Sequence, residues 1–96
     1  MIELDPKYLD TVKTILRQIV PDARAWAFGS RASGAAKPFS DLDLALEGEE
    51  PLTSSELAQL KTAFSESDLP IKVDVVDLNS ISAEFRKVID GQKVRL

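Results

Sequence analysis

The heptapeptide Asp41-Leu42-Asp43-Leu44-Ala45-Leu46-Glu47 decides how the chain is read. Leu42, Leu44 and Leu46 alternate with Asp41, Asp43, Ala45 and Glu47, the period of two that gives a strand one apolar and one polar face. The spacing predicts a strand over 41–47, its leucines anchored in the core. Asp41 and Asp43 then leave the same face with backbone attachment points roughly 6–7 Å apart, and one hard cation fits between such carboxylates. The plain alternative is that Asp41 only starts the strand and Asp43 faces solvent. Against it stands the backing: a carboxylate face on a core-anchored strand is held rigidly.

Upstream, Arg24-Ala25-Trp26-Ala27-Phe28 has bulky residues at alternate positions and stops at Gly29-Ser30. It reads as a short buried strand, with Trp26 and Phe28 in the core. Residues 31–39 mix Gly34, small residues and Pro38, as a loop or one helical turn followed by a loop. Before the strand, Asp5-Pro6 starts a helix whose face is Leu9, Val12, Ile15, Leu16, Ile19 and Val20, ending before Pro21-Asp22. Downstream, Gly48 to Pro51 breaks the pattern. Thr53 and Glu56 have capping-box spacing for a helix carrying Leu57, Leu60 and Phe64, expected to end near Asp68-Leu69-Pro70. Ile71, Val73 and Val75 alternate with Lys72, Asp74 and Val76 in a third strand. Asp77 to Ser80 follows as a turn, Asp77 being expected to cap a final helix that carries Ile81, Phe85, Val88 and Ile89 and stops at Gly91. The order predicts an α/β (α+β) fold: a small mixed sheet flanked by helices, one domain over residues 1–96. It does not specify strand order.

Composition limits the chemistry. Ninety-six residues, 44% hydrophobic and 29% charged, hold a single core. No apolar stretch is long enough to span a bilayer, and the first residues lack a secretory signal, so no membrane role and a cytoplasmic location are expected. With no cysteine and no histidine, disulfides, thiolate nucleophiles and the commonest general base are excluded. Sixteen acidic and twelve basic residues give a net charge of −4. That charge opposes strong direct binding of nucleic acid but permits a nucleoside triphosphate whose phosphates are offset by a metal.

Within those limits the carboxylates stand out. Asp74 lies mid-strand among valines, where an ionised group is tolerated if a cation compensates it, so it is the candidate third ligand beside Asp41 and Asp43. Gly29-Ser30 ends a strand and opens a turn, a place where backbone amides and a small hydroxyl approach a phosphate closely. Arg31 and Lys37 are candidates for positive charge beside the same pocket. Ser40 either fixes the Asp41 carboxylate or forms a turn before the strand.

The constellation of Gly29-Ser30-Arg31, Ser40-Asp41-Leu42-Asp43 and Asp74 resembles the minimal nucleotidyltransferases of the DNA polymerase beta superfamily. Their signature is Gly-Ser followed about a dozen residues later by Asp-x-Asp, plus a third Asp. The resemblance covers nearly the whole chain and implies the polymerase beta-like fold. It assigns Gly29 and Ser30 to the phosphates of ATP, Asp41 and Asp43 to two Mg²⁺ ions, and Asp74 to one of those ions. The expected catalytic and metal set is Asp41, Asp43 and Asp74, with Gly29, Ser30, Arg31 and Ser40 toward the nucleotide. Where the family often has a basic residue this chain has Ser33, so one phosphate contact is missing. Such proteins are similar to antitoxins that transfer AMP from ATP to a tyrosine of a HEPN-domain ribonuclease toxin. The resemblance implies that activity and that partner. Two alternatives stay open: a non-catalytic module that neutralises a HEPN-type partner by binding it, and a metal-dependent phosphate-binding protein of unrelated ancestry.

Overall fold

Local capping sets the helices. The computed structural model describes residues 2–96, Met1 lying outside the described residues. Asp5 accepts a hydrogen bond from the Lys7 amide at 3.0 Å, and Pro6 opens α1, Pro6–Ile19. Thr53 and Glu56 cap each other reciprocally, at 2.9 and 3.0 Å, at the start of α3, Ser54–Ser65. This helix stops short of the expected Asp68. The Ser67 hydroxyl donates to the Phe64 carbonyl at 2.6 Å and accepts from the Leu69 amide at 3.3 Å, turning the chain early. The last helix, α4, is Ala83–Asp90, and its cap is Ser82, whose hydroxyl accepts from the Phe85 amide at 3.1 Å. Asp77, expected to cap it, instead ends a strand with only 6% of its surface exposed. Its carboxylate is taken up by the amides of Leu52 and Asn79 and the Ser80 hydroxyl, which fastens the loop before α3 to the sheet.

Four strands form one sheet in the order β3-β2-β1-β4. β1 (Arg24–Phe28) and β2 (Leu42–Glu47) are antiparallel, with Arg24 opposite Glu47 and Phe28 opposite Asp43. β2 and β3 (Val73–Asp77) are parallel, with Asp43 beside Asp74 and α3 between them in the chain. β4 (Val94–Arg95) pairs antiparallel with β1. Residues 31–39 begin within a one-turn helix, α2 (Ser30–Ser33), which Gly34 closes at a φ of 85°, the left-handed geometry glycine allows.

The alternation of β2 sorts the core into two layers. Leu42, Leu44 and Leu46 are fully buried among Val12, Leu16, Leu60 and Phe64 of α1 and α3, with Ala27 of β1. On β1 the alanines therefore face this main core, and the bulky residues face the other way. Trp26 and Phe28, half-buried, pack against a second and smaller core cluster of Ala45, Leu78 and Ile89. Alanine opposite leucine across the strands, Ala25 with Leu46 and Ala27 with Leu44, leaves the leucines room on the crowded side. Arg86 of α4 bonds to Glu47 of β2 and donates to the Leu78 carbonyl at 3.1 Å, holding α4 over the second face. Among the described residues no helix is long and apolar enough to cross a membrane.

Candidate functional site

The acidic residues meet where β1 ends and β2 and β3 begin. Because Phe28 pairs with Asp43 and Asp43 lies beside Asp74, both aspartates sit on the sheet face opposite the leucine core. Asp41 stands exposed just before β2, which begins at Leu42 rather than at Asp41. Burial pushes the Asp43 carboxyl above its ordinary value, with further upward pressure from Asp74 and Asp41 and a smaller opposing effect of Lys72.

Gly29 is required at its position on two grounds. Its φ of 75° lies in the left-handed region, and a Cβ there would stand 2.6 Å from Oδ2 of Asp43. The turn that opens α2 thus passes directly over the Asp43 carboxylate. The Gly29 carbonyl accepts from the amides of Ala32 and Ser33 at 3.1 Å each, and its own N–H donates to Oε1 of Gln92 at 2.8 Å. Ser30, half-buried at the head of α2, follows immediately.

Two expected features are corrected by the geometry, and one of two open readings is decided. Asp74 was expected in a buried setting; its side chain is 45% exposed and lies 3.4 Å from Nζ of Lys72, two residues away on the same strand face. Arg31 is not a free cation beside the site. It is 7% exposed, and its guanidinium donates to the carbonyls of Glu3, Lys37, Pro38 and Ser40 at 2.6, 3.4, 3.2 and 2.9 Å. A buried guanidinium needs such acceptors, and here they tie the N-terminal segment to the loop that carries Asp41. The Ser40 hydroxyl accepts from the Lys37 amide at 2.8 Å, so of its two readings the turn describes its contact. Lys37 is exposed.

Gly29, Ser30, Asp43 and Asp74 therefore share one end of one sheet face, with Asp41 at its edge, while Arg31 and Ser40 support the loop from behind. Among the described residues no three acidic side chains stand close enough to enclose a metal ion. The donor set still suits one. All three groups offer hard carboxylate oxygens, the choice of Mg²⁺, and a divalent cation would relieve the charge crowding at Asp43. A cleft of about 660 Å³ opens at the far end of β2 around Gly48, Glu50 and Leu52, away from these residues.

Sequence reading missed Gln92, which no pattern marks because β4 is two residues long and has no period. It also missed the Lys72–Asp74 pair, although the same alternation that singled out Asp74 puts Lys72 on its face.

A model of the family described as "Polymerase beta, Nucleotidyltransferase" matches residues 10–96. The chain is 52% identical over 88 residues to the probable protein adenylyltransferase MntA of Haemophilus influenzae, covering 92% of this chain and 77% of that one. A crystal structure of a toxin-antitoxin with AMP-PNP contains a chain 26% identical, at a TM-score of 0.77, with 90% of this chain and 69% of that chain covered. The tri-AMPylated Shewanella oneidensis HEPN toxin in complex with MNT antitoxin gives a match of 25% identity and a TM-score of 0.68, covering 93% of this chain and 70% of that chain.

Proposed function

The chain belongs to the polymerase beta nucleotidyltransferase family, and from that premise we propose that it is an Mg²⁺-dependent protein adenylyltransferase acting as an antitoxin. Its substrate is ATP, and its acceptor is a tyrosine hydroxyl of a HEPN-domain ribonuclease toxin. The relative named as a protein adenylyltransferase and the neighbour solved with an AMPylated HEPN toxin support that choice of acceptor class. The observation that carries the reading is the register that sets Asp43 beside Asp74 and beneath the Gly29-Ser30 turn.

In this reading Gly29 and Ser30 seat the triphosphate and align its α-phosphorus, Asp41 and Asp43 hold Mg²⁺, and Asp74 completes the acidic face. The metal, when bound, offsets charge on the leaving pyrophosphate and acidifies the acceptor hydroxyl. The acceptor oxygen bonds to the α-phosphorus as the bond to the β-phosphate oxygen breaks. With no histidine in the chain, a carboxylate oxygen takes the hydroxyl proton, and Asp74, part-exposed and not assigned to the metal in this reading, is the candidate. Positioning dominates the catalysis, since a displacement of ~1 Å costs about a hundredfold in rate.

A second reading, neutralisation by binding alone, draws on Phe85 and Val88 of α4, which are 41% and 57% exposed on the same side of the sheet as Asp43. One experiment separates the two: incubation with labelled ATP, Mg²⁺ and a HEPN-domain protein encoded beside this chain, read by intact mass. Wild type should add AMP to the partner and lift its toxicity, and the Asp41→Ala/Asp43→Ala variant should do neither. Full neutralisation by the variant would establish the binding reading instead.

A further inference from the structure

The backbone pairing of β4 with β1 is short: Trp26 lies opposite Arg95 and Ala27 opposite Val94. Continued by two residues, that antiparallel register sets Gly29 opposite Gln92. There the ladder is completed by a side chain, the Gly29 N–H donating to Oε1 of Gln92 at 2.8 Å. Gln92 stands on a fixed turn. Its own amide and that of Lys93 both donate to the carbonyl of fully buried Ile89, at 3.0 and 2.8 Å. Lys93 is held in turn by Asp90 at 2.7 Å and by the Trp26 ring, 4.4 Å from its ammonium.

Gly29 needs such a partner. Glycine at a positive φ has a wider conformational range than other residues, so its turn is fixed by hydrogen bonds: Ala32 and Ser33 hold the carbonyl side, and Gln92 holds the amide side. Here rotation would shift the Gly29-Ser30 turn relative to Asp43, whose Oδ2 it approaches too closely for a Cβ. A carboxamide supplies the acceptor without charge, whereas a carboxylate would add repulsion toward a triphosphate.

We propose that Gln92 is a positioning residue of the nucleotide site: its side-chain oxygen, by accepting from the Gly29 amide, holds the Gly29-Ser30 turn in the orientation that receives the triphosphate above Asp43. The inference rests on the nucleotidyl-transfer reading given above. It is tested by amide hydrogen exchange at Gly29 and by calorimetry with ATP and Mg²⁺, on wild type, Gln92→Leu and Gln92→Glu. Gln92→Leu should lose the protection of the Gly29 amide and about tenfold in affinity, the factor of one hydrogen bond. Gln92→Glu keeps the acceptor at the same reach. It should keep the amide protected and lose no more than about threefold, because an exposed charge is screened by salt. An unprotected Gly29 amide with unchanged ATP–Mg²⁺ affinity in Gln92→Leu would overturn the positioning role while leaving the nucleotidyl-transfer reading intact. Failure of wild type itself to bind ATP with Mg²⁺ would instead overturn that reading. If Gln92→Leu does not fold, Gln92→Ala replaces it under the same readouts, and loss of folding in both would make Gln92 a structural residue and end the proposal.

Discussion

Asp43 carries a cost in the protein without metal that the proposed metal-binding role would explain. Burial and two neighbouring carboxylates raise its pKa, so the folded state disfavours the charged form. For a carboxylate raised on folding, the penalty is full above the folded value, shrinks as pH falls through it, and is gone below the ordinary value of 3.8. Asp43→Asn should therefore melt higher than wild type at neutral pH without metal. The gap should close on acidification, and Mg²⁺ should raise the midpoint of wild type only. Thermal melts at several pH values check this, and a variant no more stable than wild type at pH 7 would contradict it. Arg31 makes the opposite case. Replacing it leaves part-buried carbonyls without their donor, so Arg31→Met should cost about 1–3 kcal/mol. Arg31→Lys should recover little, because an ammonium lacks the planar fork that reaches four separate acceptors. Denaturant unfolding measures both. No sequence pattern distinguishes this arginine from a phosphate-facing one: a buried cation is recognised by its acceptors, and these are backbone carbonyls from two separate stretches of chain.

Elements were legible in proportion to the length of their period. The leucines of β2 and the apolar stripe of α1 repeat often enough to define a face, and the box of Thr53 and Glu56 forms as its spacing predicts. Removing the cap in Thr53→Ala should cost about 1 kcal/mol and lower the melting midpoint by about 4–8 °C, with far-ultraviolet dichroism at 20 °C unchanged. The one-turn α2 and two-residue β4 carry no period and depend on their neighbours, Gly29 and Gly34 for the first and the free edge of β1 for the second. The facing of β1 was not legible for a related reason. Bulk and alternation show which residues share a side but not which side meets the thicker layer, and α1 and α3 both pack against the side of the alanines. For the same reason the sequence indicated that Asp41 and Asp43 share a face, whereas bringing Asp74 beside Asp43 required the parallel register of β2 and β3.

At the scale of the whole molecule, charge decides how a nucleotide is received. The net charge of −4 sets a repulsive background for a triphosphate, and Asp41, Asp43 and Asp74 concentrate it where the phosphates would lie. Of the cations close to this end, Arg31 is committed to four carbonyls and Lys93 to Asp90 and the Trp26 ring, while Lys72 offsets Asp74 alone and Lys37 is exposed to solvent. Metal-free ATP would thus bring its negative charge against three carboxylates with little side-chain charge in compensation. A divalent ion reverses the balance, because it binds carboxylate and phosphate oxygens at once. Calorimetry should show ATP binding in Mg²⁺ that falls at least tenfold, about 1.4 kcal/mol, when EDTA removes the metal. Asp41→Ala/Asp43→Ala should show the opposite pattern: weaker binding in Mg²⁺, but little further loss in EDTA, since the repulsion leaves together with the ligands. Equal affinity of wild type with and without metal would mean that the acidic face does not meet the phosphates, and would move the nucleotide away from the Gly29 end of the sheet.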